Sequence, residues 1–296
     1  MRVLICPDSF KGCLGAPRVA DAMRRGVEVA GSHETVVRPI SDGGEGFAHA
    51  IAHAKGLGLP TVSATASHGG VVGVPWCAFE HNGARTGAFT VADVVGLGFV
   101  AKQRRDPGAL STRGVGQTIL ALRDAGCARV LVGLGGSGPV DGGVGLAAAL
   151  GFRFLDESNN LVSGVGNQLS CIARVVPPAS DPLDGVRVVA ARDVDNPLTG
   201  DRGAARVFSP QKGARGAQVE DLERGLANLR RRCAEAGLTD GVDHAGDGSA
   251  GGLGFGLRVF AGAVARACGA SQPPHVAARV HHPPPEWRQK GGHGHH

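Results

Sequence analysis

The chain has 296 residues, of which 49 are Gly and none is Tyr; 42% are hydrophobic, 19% charged and 4% aromatic. Collagen requires a strict Gly-X-Y period and low-complexity disorder requires few aliphatics, whereas here clustered glycines alternate with Val, Leu, Ala and Ile runs, which implies a globular protein with glycine-built loops, long enough for about two domains. The formal charge is +5, of which Arg279, Arg288 and Lys290 against Glu286 supply +2, and the remainder is too small and scattered for a nucleic-acid surface.

No apolar run reaches the roughly 18 residues of a bilayer span. Met1 to Asp8 lacks a long apolar signal region, so a cytoplasmic protein is expected. Cysteines at 6, 13, 77, 127, 171, 233 and 268 form neither a CxxC pair nor a Cys/His metal spacing; reduced, mostly buried thiols are expected.

In chain order, residues 2 to 6 read as a buried first strand ending at Pro7-Asp8. A helix starts at Pro17, with Val19, Met23 and Val27 on one face. Thr35 to Ile40 is a second strand, and Asp42 to Gly46 leads into another helix, a βαβα start that implies a parallel sheet. The rhythm then changes: Thr61 to Ser67, Val71 to Glu80 and Ala84 to Thr90 read as strands, with His81-Asn82-Gly83 as a hairpin turn opening an antiparallel patch. Gly114 to Ala125 is a helix with Val115, Ile119 and Leu122 on one face; Arg129 to Leu134 is a strand, followed by a glycine loop and a short helix to Leu150. Val186 to Ala190 is a strand, and Val219, Leu222, Leu226, Leu229 and Cys233 form the core face of a long helix. From residue 269 the chain is rich in Pro and His without helical or strand period, an unstructured tail whose His spacings fit no zinc pattern.

Three glycine loops carry acids: Asp42-Gly43-Gly44-Glu45-Gly46, the stretch Gly133 to Gly143 with Gly135, Gly136, Ser137 and Asp141, and Gly246 to Gly254 with Gly251 and Gly252. Glycine in such loops lets backbone N–H groups approach an anion, and a following helix N-terminus adds a favourable dipole. Asp8, Ser9 and Lys11 follow the first strand, where α/β sheets place ligands. Asp193, Asp195 and Asn196 follow the strand at 186 to 190, where one carboxylate is expected to meet Mg²⁺ while the other orients the loop. Gln211 and Lys212 offer a cation at a turn. Carboxylates for Mg²⁺, glycine-flanked lysines for phosphate oxygens and backbone donors are the components of phosphoryl transfer. Gly133-x-Gly135-x-x-Gly138 with Asp156 also raises a dinucleotide site and an NAD(P)-dependent oxidoreductase, against which Pro139 and Gly142-Gly143 interrupt the helix that site requires. No GxxxxGK[ST] loop is present.

The motifs PDSFKG at 7 to 12, SDGGEG at 41 to 46, VGLGGS with DGG at 132 to 143, DVDNPL at 193 to 198, GAARVFSPQKGA at 203 to 214 and GSAGGLGFGL at 248 to 257 occur in an order that strongly resembles the bacterial class I glycerate kinases, over residues 1 to about 265. The resemblance implies ATP- and Mg²⁺-dependent phosphorylation of D-glycerate, giving 2-phosphoglycerate, with 3-phosphoglycerate as the other product left open. It implies two α/β domains with the cleft between them. The first is discontinuous: residues 1–60 are the N-terminal part of a Rossmann/RecA-like unit, residues 61–268 the inserted second domain, and 269–296 the tail. Carried over, Lys11, Asp42, Asp193, Asp195 and Lys212 are catalytic, with Asp42, Asp193 and Asp195 as Mg²⁺ ligands or proton acceptor. Asp8, Ser9, Gly43, Gly44, Glu45, Gly135, Gly136, Ser137, Asp141, Asn196, Gln211, Gly251 and Gly252 bind substrate or nucleotide.

The chain also departs from the family pattern. Gly138, Pro139 and Val140 stand where the family reads Ala-Thr-Asn; Thr90 replaces an acid; Arg113 and Gln117 replace a tyrosine and a glutamate. A C-terminal segment with a GEGR-like motif is absent from the sequence, so the first domain is expected to lack most of its C-terminal part. An aggregation-prone chain of weak or no activity is the corresponding expectation, and a remnant that binds nucleotide without transfer is the competing function.

Overall fold

The computed structural model describes residues 1–10 and 13–267; Lys11, Gly12, Cys268 and the tail at 269–296 lie outside the described residues. The elements are β1 (Arg2–Ile5), α1 (Ala16–Ala30), β2 (Glu34–Val37), α2 (Phe47–Lys55), β3 (Thr61–Thr65), β4 (Val71–His81), β5 (Ala84–Thr90), α3 (Ala92–Val95), α4 (Arg113–Asp124), β6 (Arg129–Gly133), α5 (Val144–Ala149), β7 (Arg153–Leu155), β8 (Arg174–Val176), β9 (Arg187–Arg192), α6 (Ala204–Phe208), α7 (Ala217–Glu235), α8 (Ser249–Ala261) and β10 (Val264–Ala267).

The fold is α/β around a mixed sheet of order β10-β9-β6-β5-β4-β3. Strands β10, β9, β6 and β5 are mutually parallel, and β4 runs antiparallel to β5 and β3. The predicted antiparallel patch is therefore the edge of the same sheet that holds the parallel strands. Side chains alternate across the sheet with period two. Phe89, Val130, Val132, Val188 and Ala190 enter the main core with α4, α5, α7 and α8, while Ala88, Leu131, Val189 and Ala191 face Phe47, Ile51 and Ala52 of α2. Residues on both sides of position 60 thus share an apolar cluster. The predicted faces of α4 (Val115, Ile119, Leu122) and α7 (Leu222, Leu226, Leu229, Cys233) are buried, as a helical stripe against a sheet requires.

Strand β1 is not buried as predicted. Among the described residues it pairs only with β2, in a separate two-stranded parallel sheet; Leu4 is 66% exposed and only Ile5 of the strand is buried. On α1 the apolar face is buried in its first half, at Ala16, Val19 and Ala20, with Met23 exposed, because among the described residues little packs against its second half. Cysteine burial also differs: Cys77, Cys127 and Cys233 are buried, but Cys6, Cys13 and Cys171 are exposed. Among the described residues no helix is long and apolar enough to cross a membrane.

Helix α8 begins inside the third glycine loop, with Ala250, Gly251 and Gly252 in left-handed conformation at its start. It crosses α5 at backbone contact: a Cβ on Gly256 would lie 2.6 Å from Gly143 Cα. Gly256→Ala is expected to cost about 1–3 kcal/mol by overpacking. Gly58→Ala, with nothing within 4 Å, serves as control. Urea denaturation that finds the two variants equally stable would contradict the helix crossing.

Candidate active site

Strands β5, β6 and β9 are parallel, so their C-terminal ends share one edge of the sheet, the edge at which open α/β sheets hold ligands. The loops leaving that edge, together with the turn that opens α2, enclose a cavity of about 430 Å³. Gly44 and Glu45 reach it from before α2, Gly135, Gly136 and Ser137 from after β6, and Asp193 from after β9. Gln211 and Lys212 enter from a single 3-10 turn, Pro210–Lys212, that follows α6.

Two of these walls touch backbone to backbone. The Gly135 N–H donates to the Gly43 carbonyl at 3.1 Å, and a Cβ on Gly135 would lie 2.3 Å from Gly44 Cα. No other residue type fits there. A third segment closes the floor: a Cβ on Gly251 would lie 2.1 Å from the Pro139 carbonyl oxygen and 2.9 Å from Lys212 Nζ.

Lys212 is the one buried lysine among the described residues, 4% exposed. Its Nζ donates to Ser137 Oγ at 2.8 Å and to the Pro139 carbonyl at 2.9 Å. Both acceptors are neutral. Burial therefore pushes the ammonium down to about 7, opposed by the negative charge of Asp141.

Among the described residues, the others singled out by sequence do not line this cavity, for distinct reasons. Asp141 is 0% exposed. Its Oδ2 accepts from the Thr112 N–H (2.8 Å), the Thr112 hydroxyl (2.8 Å) and the Gly145 N–H (3.2 Å), and its Oδ1 accepts from the Gly143 N–H (3.0 Å). It is a buried hydrogen-bond acceptor inside the second loop. Asp195 is 71% exposed and paired with Arg192; an extended segment would place it on the same face as Asp193, but the chain bends at Asp193 as it leaves β9, and only Asp193 lines the cavity. Asn196 donates through Nδ2 to the Arg202 carbonyl at 2.8 Å, bracing its loop. Asp42 is half-buried and accepts the Gly44 N–H at 2.8 Å through Oδ1, shaping the turn. Gly43, Gly251 and Gly252 are buried backbone contacts behind the wall. Asp8 accepts the N–H of Ser9 at 2.6 Å near the end of β1, away from the cavity lining.

The dinucleotide alternative finds no helix at Gly138: α5 opens only at Val144. Asp156 instead closes a surface turn by accepting the Ser158 and Asn160 N–H groups at 2.9 and 2.8 Å, and those bonds hold its carboxyl below the usual range.

Sequence reasoning missed Leu97, Leu134, Phe208 and Ser249 on the cavity wall, because apolar and small residues carry no chemical signature. It also missed Thr112, which stands two residues before the predicted helix and directly before α4. Among the described residues no three or more His, Cys, Asp or Glu converge as a metal cage. Mg²⁺ requires only one or two carboxylates, since phosphate oxygens and water complete its shell. Glu45 and Asp193 on the same wall fit that demand.

The sequence profile of the glycerate kinase family matches residues 3–270. Glycerate 2-kinase of Escherichia coli (strain K12) is 35% identical over 265 residues, covering 89% of this chain and 69% of that protein. Glycerate kinase of Bacillus subtilis (strain 168) is 36% identical over 264 residues, covering 88% and 68%. The crystal structure of a Salmonella typhimurium LT2 protein described as glycerate kinase 2 superposes with a TM-score of 0.79 at 34% identity, over 90% of this chain and 72% of that one.

The buried lysine has a thermodynamic signature. Between about pH 7 and the ordinary lysine value of 10.5, the unfolded chain keeps a proton that native Lys212 has shed, so Lys212 makes stability rise with pH across that window. Chemical denaturation at both ends of the window is expected to show a smaller gain, or none, in Lys212→Met. Equal gains in the variant and the wild type would mean that Lys212 keeps its proton in water-like surroundings.

Proposed function

The chain belongs to the glycerate kinase family, and from that premise we propose that it transfers the terminal phosphoryl group of ATP to the 2-hydroxyl of D-glycerate, releasing ADP and 2-phosphoglycerate in the cytoplasm. The observation that carries the reading is the pairing of one buried ammonium, Lys212, with two carboxylates, Glu45 and Asp193, on the wall of one glycine-lined cavity. Phosphoryl transfer demands cationic stabilisation of the moving phosphoryl group, a carboxylate to hold the metal and an acceptor for the hydroxyl proton.

In this reading Lys212 faces the phosphoryl oxygens from a dry pocket, where a charge acts more strongly than in water. Gly135, Gly136 and Ser137 bring backbone close to the phosphates. Asp193, with water and phosphate oxygens, is the residue that would hold Mg²⁺. When bound, that ion neutralises charge spread over the phosphate oxygens. Glu45 takes the proton that leaves the substrate hydroxyl. Asp42 acts through the shape of the turn that presents Gly44 and Glu45. Lys11, carried over from the first motif, is a second phosphate cation. The reading includes a division into residues 1–60 and 61–268, with the cavity drawing its wall from both: Gly44 and Glu45 from one, Gly135 to Lys212 from the other.

A coupled assay of ADP release with D-glycerate, read in parallel by ³¹P NMR of the product, tests the reading. Expected is stoichiometric ADP and 2-phosphoglycerate. Nucleotide binding without ADP would instead indicate a remnant, and the phosphorus signal of the 3-phosphate would reassign the attacking hydroxyl.

The variants separate the roles. Lys212→Met is expected to lose about 10²–10³-fold in kcat, the range seen when one stabilising donor is removed. Asp193→Asn is expected to raise the Mg²⁺ concentration required, and Glu45→Gln to lower kcat by about 10²–10⁴-fold without that change. Asp195→Asn is expected to turn over at close to the wild-type rate, because its side chain lies in solvent beside Arg192. A collapse of kcat in Asp195→Asn would exchange the roles of the two aspartates.

A further inference from the structure

Among the described residues no carboxylate touches Lys212. Its acceptors are a hydroxyl and a peptide carbonyl, and a buried ammonium held only by neutral acceptors is costly to keep charged. Charged groups face it from several directions. Glu45 and Asp193 share the cavity wall with it. Arg105 packs its backbone on Gly213 and directs its own Nε to the Val100 carbonyl at 3.2 Å. On α6, Arg206 is engaged at the surface with Glu220. The fully buried member of this set is Asp141, which lies two residues beyond Pro139 in the segment that holds Lys212 Nζ.

Four donors converge on the two oxygens of Asp141, three of them backbone N–H groups of Thr112, Gly143 and Gly145 and the fourth the Thr112 hydroxyl. Burial pushes its carboxyl above the ordinary carboxylate value, and these four bonds oppose that rise. Thr112 completes the arrangement. It is the residue before the first turn of α4, and its Oγ1 also accepts the Leu146 N–H of α5 at 3.0 Å, so a single hydroxyl ties two helix starts to the carboxylate. The approach is close enough that a Cβ on Gly145 would lie 2.8 Å from Thr112 N and 2.7 Å from Arg113 N.

We propose that Asp141 and Thr112 are a buried positioning pair: the carboxylate supplies negative charge that favours the protonated form of Lys212 in its dry pocket over what burial alone would allow, and the Thr112 hydroxyl favours the ionised form of that carboxylate. Neither residue touches a ligand; both act through Lys212. In a low-dielectric interior a fixed charge is felt across a few ångströms without direct contact. The consequence for turnover rests on the reading of Lys212 as the phosphate-facing cation, but the protonation of Lys212 does not.

The test therefore reads protonation directly. The full chain is pulse-labelled with acetic anhydride, which acylates only the neutral amine, across pH 5 to 10, and Lys212 is quantified by peptide mass spectrometry in wild type, Asp141→Asn, Thr112→Val and Thr112→Ser. Removing a buried neighbouring charge shifts a midpoint by about one pH unit or more. Asp141→Asn is accordingly expected to move the Lys212 midpoint to lower pH by at least that much. Thr112→Val is expected to move it in the same direction by less, and Thr112→Ser, which keeps the hydroxyl, to restore the wild-type midpoint. A folded Asp141→Asn protein, judged by a cooperative melt, with an unchanged midpoint overturns the proposal. If Asp141→Asn does not fold, the Val and Ser variants decide: identical midpoints in both overturn it. The pH profile of kcat is measured alongside. Labelling midpoints that shift without a shift in kcat would leave the pair established and refute Lys212 as the phosphate cation.

Discussion

The site depends on glycine-to-glycine contact between loops that are far apart in sequence. Gly44 meets Gly135, Gly143 meets Gly256, and Gly251 meets the Pro139 carbonyl, each at a distance that excludes a Cβ. These contacts bring three loops from the sheet edge and its covering helices to within one peptide thickness of each other. A side chain at any of them would separate the walls. Hydrogen bonds such as Gly135 N–H to Gly43 O and Gly142 N–H to Gly251 O, at 3.1 and 3.2 Å, then fix the register of the contact. Close packing of bare backbone is the constraint that allows a lysine and two acids to share so small a space.

That constraint explains why charge in the second loop is internal. Backbone packed this tightly turns many N–H groups inwards, and those groups need acceptors. Asp141 serves three of them at once from a position with no solvent exposure. Lys212, inserted between Ser137 and Pro139, lies against the same segment. The buried lysine and the buried aspartate are thus both consequences of how the loop folds, one at the cavity and one behind it.

Much of this was legible in the sequence. The periodicity of Val115, Ile119 and Leu122, and of Leu222, Leu226, Leu229 and Cys233, locates two core helices, because an apolar stripe at helical spacing is stable only when a core covers it. The strands from 61 to 90 and the turn at Asn82-Gly83 follow from alternation and turn chemistry. Glycine clusters with acids mark the loops of the cavity. Less legible was where each polar side chain points. Asp193 and Asp195 are chemically equivalent in the string of residues, and only the direction of the chain leaving β9 puts Asp193 on the cavity wall and Asp195 beside Arg192. Asp141 reads as a ligand group because it follows a glycine loop, yet four donors enclose it. The third glycine stretch reads as a loop, and it stays non-helical through Gly252, with the regular part of α8 following from Leu253.

By itself the sequence determined the α/β class, the main core helices and the family, because these rest on local period, turn chemistry and ordered motifs that survive in one dimension. The tertiary structure alone decided which acids face the cavity, that Lys212 is buried against neutral acceptors, and that Leu4 and Met23 are exposed although their pattern is that of core residues. The physical reason is common to all of these. Burial, and the charge state that burial imposes, depends on what packs against a residue from elsewhere in the chain, and a string of residue types does not contain that neighbour.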